Sequence, residues 1–257
     1  FVFLTIPKFI DGTLWGRDAI AYWSVDLANP YRGTVDQFGY FPYAPPVALV
    51  ASMFKLLPWP VFLVGWTALL LAVLAWIGGG FRSLVVLLAI PPVFLEVLYG
   101  NIHILLAAAV VVGLRSPAAW SFALLTKVTP GIGMVWFLVR REWRALIVAG
   151  VATAAIVAAS FVVAPDLWPQ WIGSLLTSQT VEVPWGHAIA IPLLIRLPIA
   201  LGFVVWGALT DRRWTVAVAA TLALPVLWTA GLSMLVAPGD RVSFYMRKDT
   251  LVDKGNR

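Results

Sequence analysis

Long apolar runs separated by short basic gaps constrain this chain more than any other feature. Residues 61–77, 145–164, 188–209 and 214–236 are each long enough to cross a bilayer, which takes about 20 apolar residues in a helix. Hydrophobic residues make up 61% of the chain and charged residues only 12%, whereas soluble domains carry about 25% charged residues. The sequence therefore predicts an all-α integral membrane protein, a polytopic bundle whose backbone groups are paired within helices.

The remaining apolar segments carry residues that interrupt a helix. Residues 83–98 contain Pro91-Pro92, and residues 117–139 have Thr129-Pro130 near their centre. Proline removes a backbone donor and kinks a helix, which a membrane tolerates only where protein or a cavity covers the break. We therefore expect short, broken helices among the spans. Residues 45–58 are too short to cross the bilayer by themselves.

The sequence is predicted to form one transmembrane domain over residues 1–236, because no polar domain interrupts the apolar runs. Residues 237–257 form a polar tail that we expect to be disordered or not native to the protein. The chain starts at Phe1 rather than Met, and residues 1–6 resemble the end of a preceding span, so we expect it to be a fragment. The absence of Cys excludes disulfides, thiol nucleophiles and Cys-based metal sites.

The basic gaps predict the orientation in the membrane. Arginines mark the cytoplasmic side by the positive-inside rule, and they are Arg82, Arg115, Arg140, Arg141, Arg144, Arg212 and Arg213. The loop 165–187 contains no Lys or Arg and therefore lies outside, and counting the spans back places the loop 11–45 on the same outer face. Arg115 and Arg140 both lie inside only if residues 117–139 enter and leave on one side as two half-helices. The net charge of +6 thus indicates topology and contact with membrane lipids rather than nucleic-acid binding.

The loop 11–45 concentrates carboxylates among aromatic rings. It holds eight aromatic residues and four of the twelve acidic residues, which are Asp11, Asp18, Asp26 and Asp36. Carboxylates among rings at a membrane boundary suit a site for a polar, uncharged ligand such as a sugar. If the stretch were helical, the spacing would place Asp11, Asp18 and Asp26 on one face. The alternative is that these carboxylates cap a helix or pair with Arg17 or Arg32.

Four motifs, in this order along the chain, resemble a known family. They are GRDAIAYW…NPY…YFPYAPP, YGNIHILLAAAVVVGLR, LLTKVTPGIGMVWFLVRREWRA and TDRRWTVAVAATLALPVLW, and together they cover most of residues 10–236. The sequence resembles the GT-C glycosyltransferases, specifically the polyprenyl-phosphate-mannose-dependent mannosyltransferases of glycosyltransferase family 87. The resemblance implies a bundle of GT-C type that takes a sugar from a lipid-phosphate donor at the outer face. It also implies that an aspartate of the first outer loop is the catalytic base, which is Asp18 in the D-x-x-x-Y-W pattern. The second loop departs from the family, with Pro184-Trp185-Gly186-His187 where an Asn-Gln-Ser-like motif is common.

The chemistry of inverting glycosyl transfer predicts a second kind of site residue. One carboxylate must deprotonate the acceptor hydroxyl, and a leaving phosphate needs cations or donors rather than a carboxylic acid. Lys127 is the first candidate cation, because an ammonium within an apolar segment costs about 3 kcal/mol and half-helix ends bind anions. Arg196, early in its span near the outer face, is the second. The structural alternatives are that Lys127 snorkels to the interface and that Arg196 anchors its helix.

Several polar and aromatic residues are candidate substrate contacts. Trp15 and Trp23 could stack on a sugar, and the two histidines fall in outward polar segments. Asn101 could instead cap the helix that follows it. The predicted substrate-binding residues are Asp11, Asp26, Tyr22, Trp23, Asn101, His103, Lys127, His187 and Arg196. Two distant histidines make no metal site, and no cofactor is expected.

The sequence thus favours a membrane glycosyltransferase of the plasma membrane with its site on the extracytoplasmic side. It would move a sugar, mannose by the resemblance, from a polyprenyl-phosphate donor to a hydroxyl of a glycolipid or glycan acceptor. A transporter or lipid flippase with broken helices is the alternative, and it should place paired charges within its spans. A non-catalytic scaffold would leave Lys127 and the acidic loop unexplained.

Overall fold

The computed structural model describes residues 14–34, 37–178 and 188–237, and this part of the chain is mainly helical, without a β-strand. An isolated bridge pairs Ala188 with Trp228. The α-helices are Ala19–Trp23, Pro45–Ser52, Trp59–Gly78, Phe81–Leu88, Pro91–Tyr99, His103–Gly113, Trp120–Thr126, Val135–Val139, Trp143–Val163, Leu167–Ser178, Leu193–Thr210 and Trp214–Leu222. The 3₁₀ helices are Met53–Leu56, Pro117–Ala119, Thr129–Met134 and Thr229–Val236.

Three helices are long and apolar enough to cross a membrane: Trp59–Gly78, Trp143–Val163 and Leu193–Thr210. A fourth span forms if Phe81–Leu88 and Pro91–Tyr99 cross together, although a bend of 97° separates them. Many apolar side chains on these helices are exposed, as expected for surfaces that face lipid. The predicted all-α membrane fold is confirmed.

The helix breaks fall at or near the residues that the sequence predicts. Pro91 and Pro92 occupy the first helical positions of Pro91–Tyr99, where a missing N–H costs nothing, and the sharp bend precedes them. The segment 117–139 is divided at Lys127, whose backbone is extended with φ −141° and ψ 98°. Short helical pieces lie on either side of that residue. The segment is thus divided into two helical parts as predicted, with the break at Lys127 rather than at Thr129-Pro130. That both parts enter and leave the membrane on one side stays a prediction.

Two predicted segments differ from the structure. Residues 214–236 do not form one span, because the helix ends at Leu222 and only a 3₁₀ helix follows Pro225, whose ring cannot continue an α-helix. Residues 165–187 are not simply a loop, because they contain the helix Leu167–Ser178. Apolar length alone predicted the span 214–236, and polar composition predicted the loop 165–187. Neither takes account of a single proline or of a short amphipathic helix.

The basic gaps and the polar loops lie at opposite ends of the bundle. Arg140 Nη1 contacts Asp211 Oδ1 at 3.1 Å, so the gaps after Val135–Val139 and after Leu193–Thr210 meet at one end. At the other end, Trp171 Nε1 donates to the carbonyl oxygen of Pro42 at 3.1 Å. This contact joins the two segments that the sequence places on one outer face, and their side of the membrane stays a prediction.

Candidate active site

Backbone hydrogen bonds attach the start of the first loop to the end of the helix Pro91–Tyr99. Gly16 N donates to Leu98 O at 2.9 Å, and Asp18 N donates to Tyr99 O at 2.8 Å. The next residue, Gly100, has φ +73°, and a Cβ added there would lie 2.8 Å from the Cβ of Ala19. Only glycine combines this backbone conformation with so close an approach. Asp18 is therefore held directly beside the turn at residues 100–102.

A side-chain amide orients the Asp18 carboxylate. Asn101 Nδ2 donates to Asp18 Oδ2 at 2.6 Å, while Asn101 Oδ1 accepts from Ile102 N at 2.7 Å and from Tyr22 Oη at 3.3 Å. The two donors on the oxygen side fix which way the amide points. Within the described residues, Asp18 Oδ1 accepts no hydrogen bond, so one carboxylate oxygen stays available for a proton.

The aromatic residues around Asp18 and Asn101 form a connected group. Tyr22 Oη lies 3.0 Å from Tyr43 Oη, and its ring lies 5.1 Å from the ring of Trp66. Trp66 Nε1 donates to Gly100 O at 2.7 Å. Burial raises the pKa of Tyr22 well above its usual value, so the hydroxyl stays protonated and acts as a donor. This group links the loop residue Tyr43 to the turn that carries Asn101.

The environment of Asp18 raises its pKa to about 6. Burial by the surrounding protein is the largest cause, and the negative charge of Glu96 adds to it. The hydrogen bond from Asn101 and the charges of Lys127 and Arg17 act in the opposite direction. A carboxylate with such a pKa is a stronger base than an ordinary aspartate and is still mostly ionised at neutral pH.

A second cluster lies beside the first and consists of Glu96, His103 and Lys127. Glu96 and His103 are fully buried, and Glu96 Oε1 accepts from His103 N at 2.6 Å. Glu96 Oε2 lies 2.9 Å from His103 Nδ1, and His103 Nε2 lies 2.7 Å from Lys127 Nζ. The three side chains therefore form one continuous line from the helix Pro91–Tyr99 to the break at Lys127.

The partly exposed Lys127 belongs to the loop end of the bundle. The helix that ends just before it is bonded to the first loop, because Ala44 N donates to Leu125 O at 3.1 Å. Lys127 is near enough to Asp18 for each charge to act on the other, yet they form no direct ion pair within the described residues. A carboxylate and an ammonium group thus lie close together with their charges not directly paired.

The structure places the other predicted site residues apart from this group. Arg196 is buried, and its guanidinium donates to the carbonyl oxygens of Ile191, Leu222, Leu224 and Pro225 at 2.6–3.2 Å. Four of its five N–H groups are thereby used, three of them by the backbone at and after the end of Trp214–Leu222 and one by Ile191 before its own helix. Asp26 is exposed, and its Oδ1 accepts from Ala28 N at 3.1 Å in a local turn.

The two tryptophans predicted to stack on a sugar contact the helix Trp59–Gly78 and the segment before it. Trp23 Nε1 donates to Leu57 O at 2.9 Å, and its ring meets the edge of Trp59. Trp15 Nε1 donates to Thr67 Oγ1 at 3.1 Å. Asp11 and His187 lie outside the described residues.

Sequence reasoning ranks one central residue, Glu96, only as a weak candidate near the outer end of its segment, and it misses the supporting residues Tyr43 and Trp66. A usable signal for Glu96 exists in the sequence: a carboxylate within an apolar segment requires a partner, and His103 lies seven residues further on. Tyr43 and Trp66 carry no such signal, because aromatic residues are common at membrane interfaces.

Fold and site together define a polytopic helical membrane protein with a carboxylate and an ammonium group at one end of the bundle. The sequence model of glycosyltransferase family 87 matches residues 41–186, more than half of the chain. The chain therefore belongs to glycosyltransferase family 87 and is a membrane glycosyltransferase. The match includes Asn101, His103 and Lys127, whereas Asp18 precedes it. Comparison with curated proteins finds no match, and comparison with solved structures finds none either.

Proposed function

We propose that this glycosyltransferase moves a sugar, which we take to be mannose, from a polyprenyl-phosphate donor to a hydroxyl acceptor. The reaction inverts the configuration of the sugar's anomeric carbon. Asp18 is the base, and Lys127 binds the phosphate of the donor. The acceptor is a glycolipid or a glycan. The observation that carries the proposal is the Asn101 amide, which orients the Asp18 carboxylate beside Lys127 and, among the residues that the structure describes, leaves one carboxylate oxygen without a partner.

The protonation states support this division of roles. Asp18 is ionised at neutral pH and has a pKa of about 6, which suits a group that removes a proton from an alcohol as the new bond forms. The leaving phosphate is stable as an anion, so no carboxylic acid has to protonate it. The other carboxylate, Glu96, is fully buried with both oxygens bonded to His103, and is thus unavailable to the substrate.

The position of the site supports a reaction at the outer face of the plasma membrane. Asp18 and Lys127 are attached to the loops at the end opposite to Arg140 and Asp211. Short gaps rich in Lys and Arg stay in the cytoplasm. A lipid-linked donor suits this location, because its tail can remain between the exposed apolar helices while the phosphate reaches the loop end.

A transporter is a weaker explanation. A transport path would place paired charges at mid-depth within long spans. Trp59–Gly78 carries no charged residue, and the one basic residue inside Leu193–Thr210, Arg196, is bonded to backbone carbonyls.

Transfer of radiolabelled mannose in membranes tests the proposal. Wild type and Asp18→Asn are each given polyprenyl-phosphate-mannose or, as a control, nucleotide-linked mannose, together with a lipid extract that supplies acceptors. We expect labelled product only with wild type and only from the lipid-linked donor. Transfer from the nucleotide sugar would refute the donor class, and undiminished transfer by Asp18→Asn would refute the base.

A further inference from the structure

With Lys127 as an ammonium group, the line of side chains from Glu96 through His103 to Lys127 has only one arrangement of protons that satisfies all its contacts. An ammonium group has donors and no acceptor, so His103 Nε2 must accept from Lys127 Nζ. The ring proton then lies on Nδ1 and points at Glu96 Oε2, 2.9 Å away. Glu96 also accepts the backbone N–H of His103 through Oε1, so both of its oxygens hold this one residue.

The surroundings give His103 no other partner within the described residues. The ring packs against the 3₁₀ helix Thr229–Val236, where a Cβ added to Gly231 would lie 3.6 Å from His103 Nε2. That 3₁₀ helix carries no titratable side chain. The charged groups that act on His103 are Glu96 on one side and Lys127 on the other, with Asp18 acting on Lys127 in turn.

We propose that Glu96 and His103 are positioning residues that hold the Lys127 ammonium ready for the phosphate of the donor. Glu96 fixes the tautomer of His103, and His103 then holds one N–H of Lys127, so that the other two are directed to an anion. Because it names how the phosphate is bound, this inference rests on the proposed function.

Replacing Glu96 by Gln tests the tautomer without changing the size of the side chain. If the amide oxygen keeps its bond to His103 N, the NH₂ group faces Nδ1 and requires that nitrogen to accept. The ring proton then moves to Nε2, where it opposes the N–H of Lys127. His103→Gln is the matched conservative variant, because its amide oxygen can occupy the position of Nε2 and still accept from Lys127.

Nitrogen-15 NMR of purified protein in detergent measures the tautomer directly. The chain has two histidines, and His187→Asn leaves His103 as the only ring observed. We expect a neutral ring with the proton on Nδ1 in wild type. The opposite tautomer or a charged ring at pH 7.5 in wild type would overturn the proposal, whether or not the protein transfers mannose.

Steady-state kinetics then test the consequence for the phosphate. We expect Glu96→Gln and Lys127→Met each to raise the KM for the donor about tenfold or more, with the KM for the acceptor within about twofold of wild type. The double variant should be little worse than either alone, because both remove the same interaction. His103→Gln should stay within about threefold of wild type, whereas His103→Leu should resemble Lys127→Met.

A purely structural role gives a different result. It would lower the yield of folded Glu96→Gln but leave the donor KM of the folded fraction unchanged, and that outcome overturns the proposal. If Glu96→Gln does not fold, the comparison of His103→Gln with His103→Leu decides. If wild type shows no transfer, the proposed function fails. Binding of polyprenyl phosphate, followed by tryptophan fluorescence, then tests the positioning of Lys127 by itself, and equal affinity of wild type and His103→Leu refutes it.

Discussion

Removing the amide of Asn101 should move the pH dependence of the reaction. The hydrogen bond from Asn101 Nδ2 to Asp18 Oδ2 is 2.6 Å long and favours the ionised carboxylate. A hydrogen bond to a charged group contributes about 1.5–3 kcal/mol, and 1.36 kcal/mol corresponds to about one pKa unit. In Asn101→Ala the pKa of Asp18 should therefore rise from about 6 by roughly 1–2 units.

The assay is kcat/KM for the donor between pH 5 and pH 9.5, with acceptor in excess. At pH 6.5 the variant should be roughly tenfold less active than wild type, and at pH 9 most of this loss should disappear. Tyr43→Phe is the matched control, because it removes a hydroxyl from the same network without touching Asn101 or Asp18. The fall of its kcat/KM towards low pH, the acidic limb of the profile, should stay near that of wild type.

Two results would refute this reasoning. An unchanged acidic limb in Asn101→Ala would mean that Asp18 is not the group whose ionisation limits the reaction. A uniform loss at every pH would mean that Asn101 acts on the position of the turn rather than on the charge of the carboxylate.

Three further predictions concern single residues. In wild type, kcat/KM should fall about tenfold from pH 7 to pH 5, because protonated Asp18, with a pKa of about 6, cannot accept a proton; a profile that stays flat to pH 5 would contradict this. Arg196→Ala should lower the free energy of unfolding by roughly 3 kcal/mol, because backbone carbonyls lose their donors, and should leave the donor KM of the folded protein unchanged. Thermal unfolding in detergent and kinetics separate these effects, and a raised donor KM at normal stability would restore Arg196 as a phosphate ligand. Gly100→Ala should cost roughly 1–3 kcal/mol and reduce kcat, because its Cβ meets Ala19 and pushes Asp18 from Asn101; a kcat equal to that of wild type would argue against this docking.

The features that follow from chain-wide physics could be predicted from the sequence. Lipid requires long apolar helices, so Trp59–Gly78 and Trp143–Val163 follow from hydropathy alone. The break at Lys127 follows from proline and glycine chemistry nearby. Asp18 followed from its position in an aromatic loop together with the family resemblance, and its role remains a proposal.

The features that depend on three-dimensional neighbours could not be predicted in the same way. In the sequence, Arg196 has the position of a cation at the membrane interface. Three of the carbonyl groups that surround it belong to the backbone at and after Leu222, where the helix ends, and only the structure shows this. The sequence predicts that His103 faces outwards, whereas in the structure it is buried between Glu96 and Lys127. The contact between His103 and Lys127 arises from the packing of separate helices, about which spacing along the chain contains no information.

The proposed base can be tested most directly by single-turnover transfer with purified Asp18→Asn at saturating donor and acceptor. Asn101 can still bond to the new amide oxygen, so the fold and donor affinity should be preserved. We predict a transfer rate lower by about 10²–10⁴-fold, the usual contribution of a positioned general base, with unchanged binding of the donor. A rate within about twofold of wild type would contradict the assignment of Asp18 as the base.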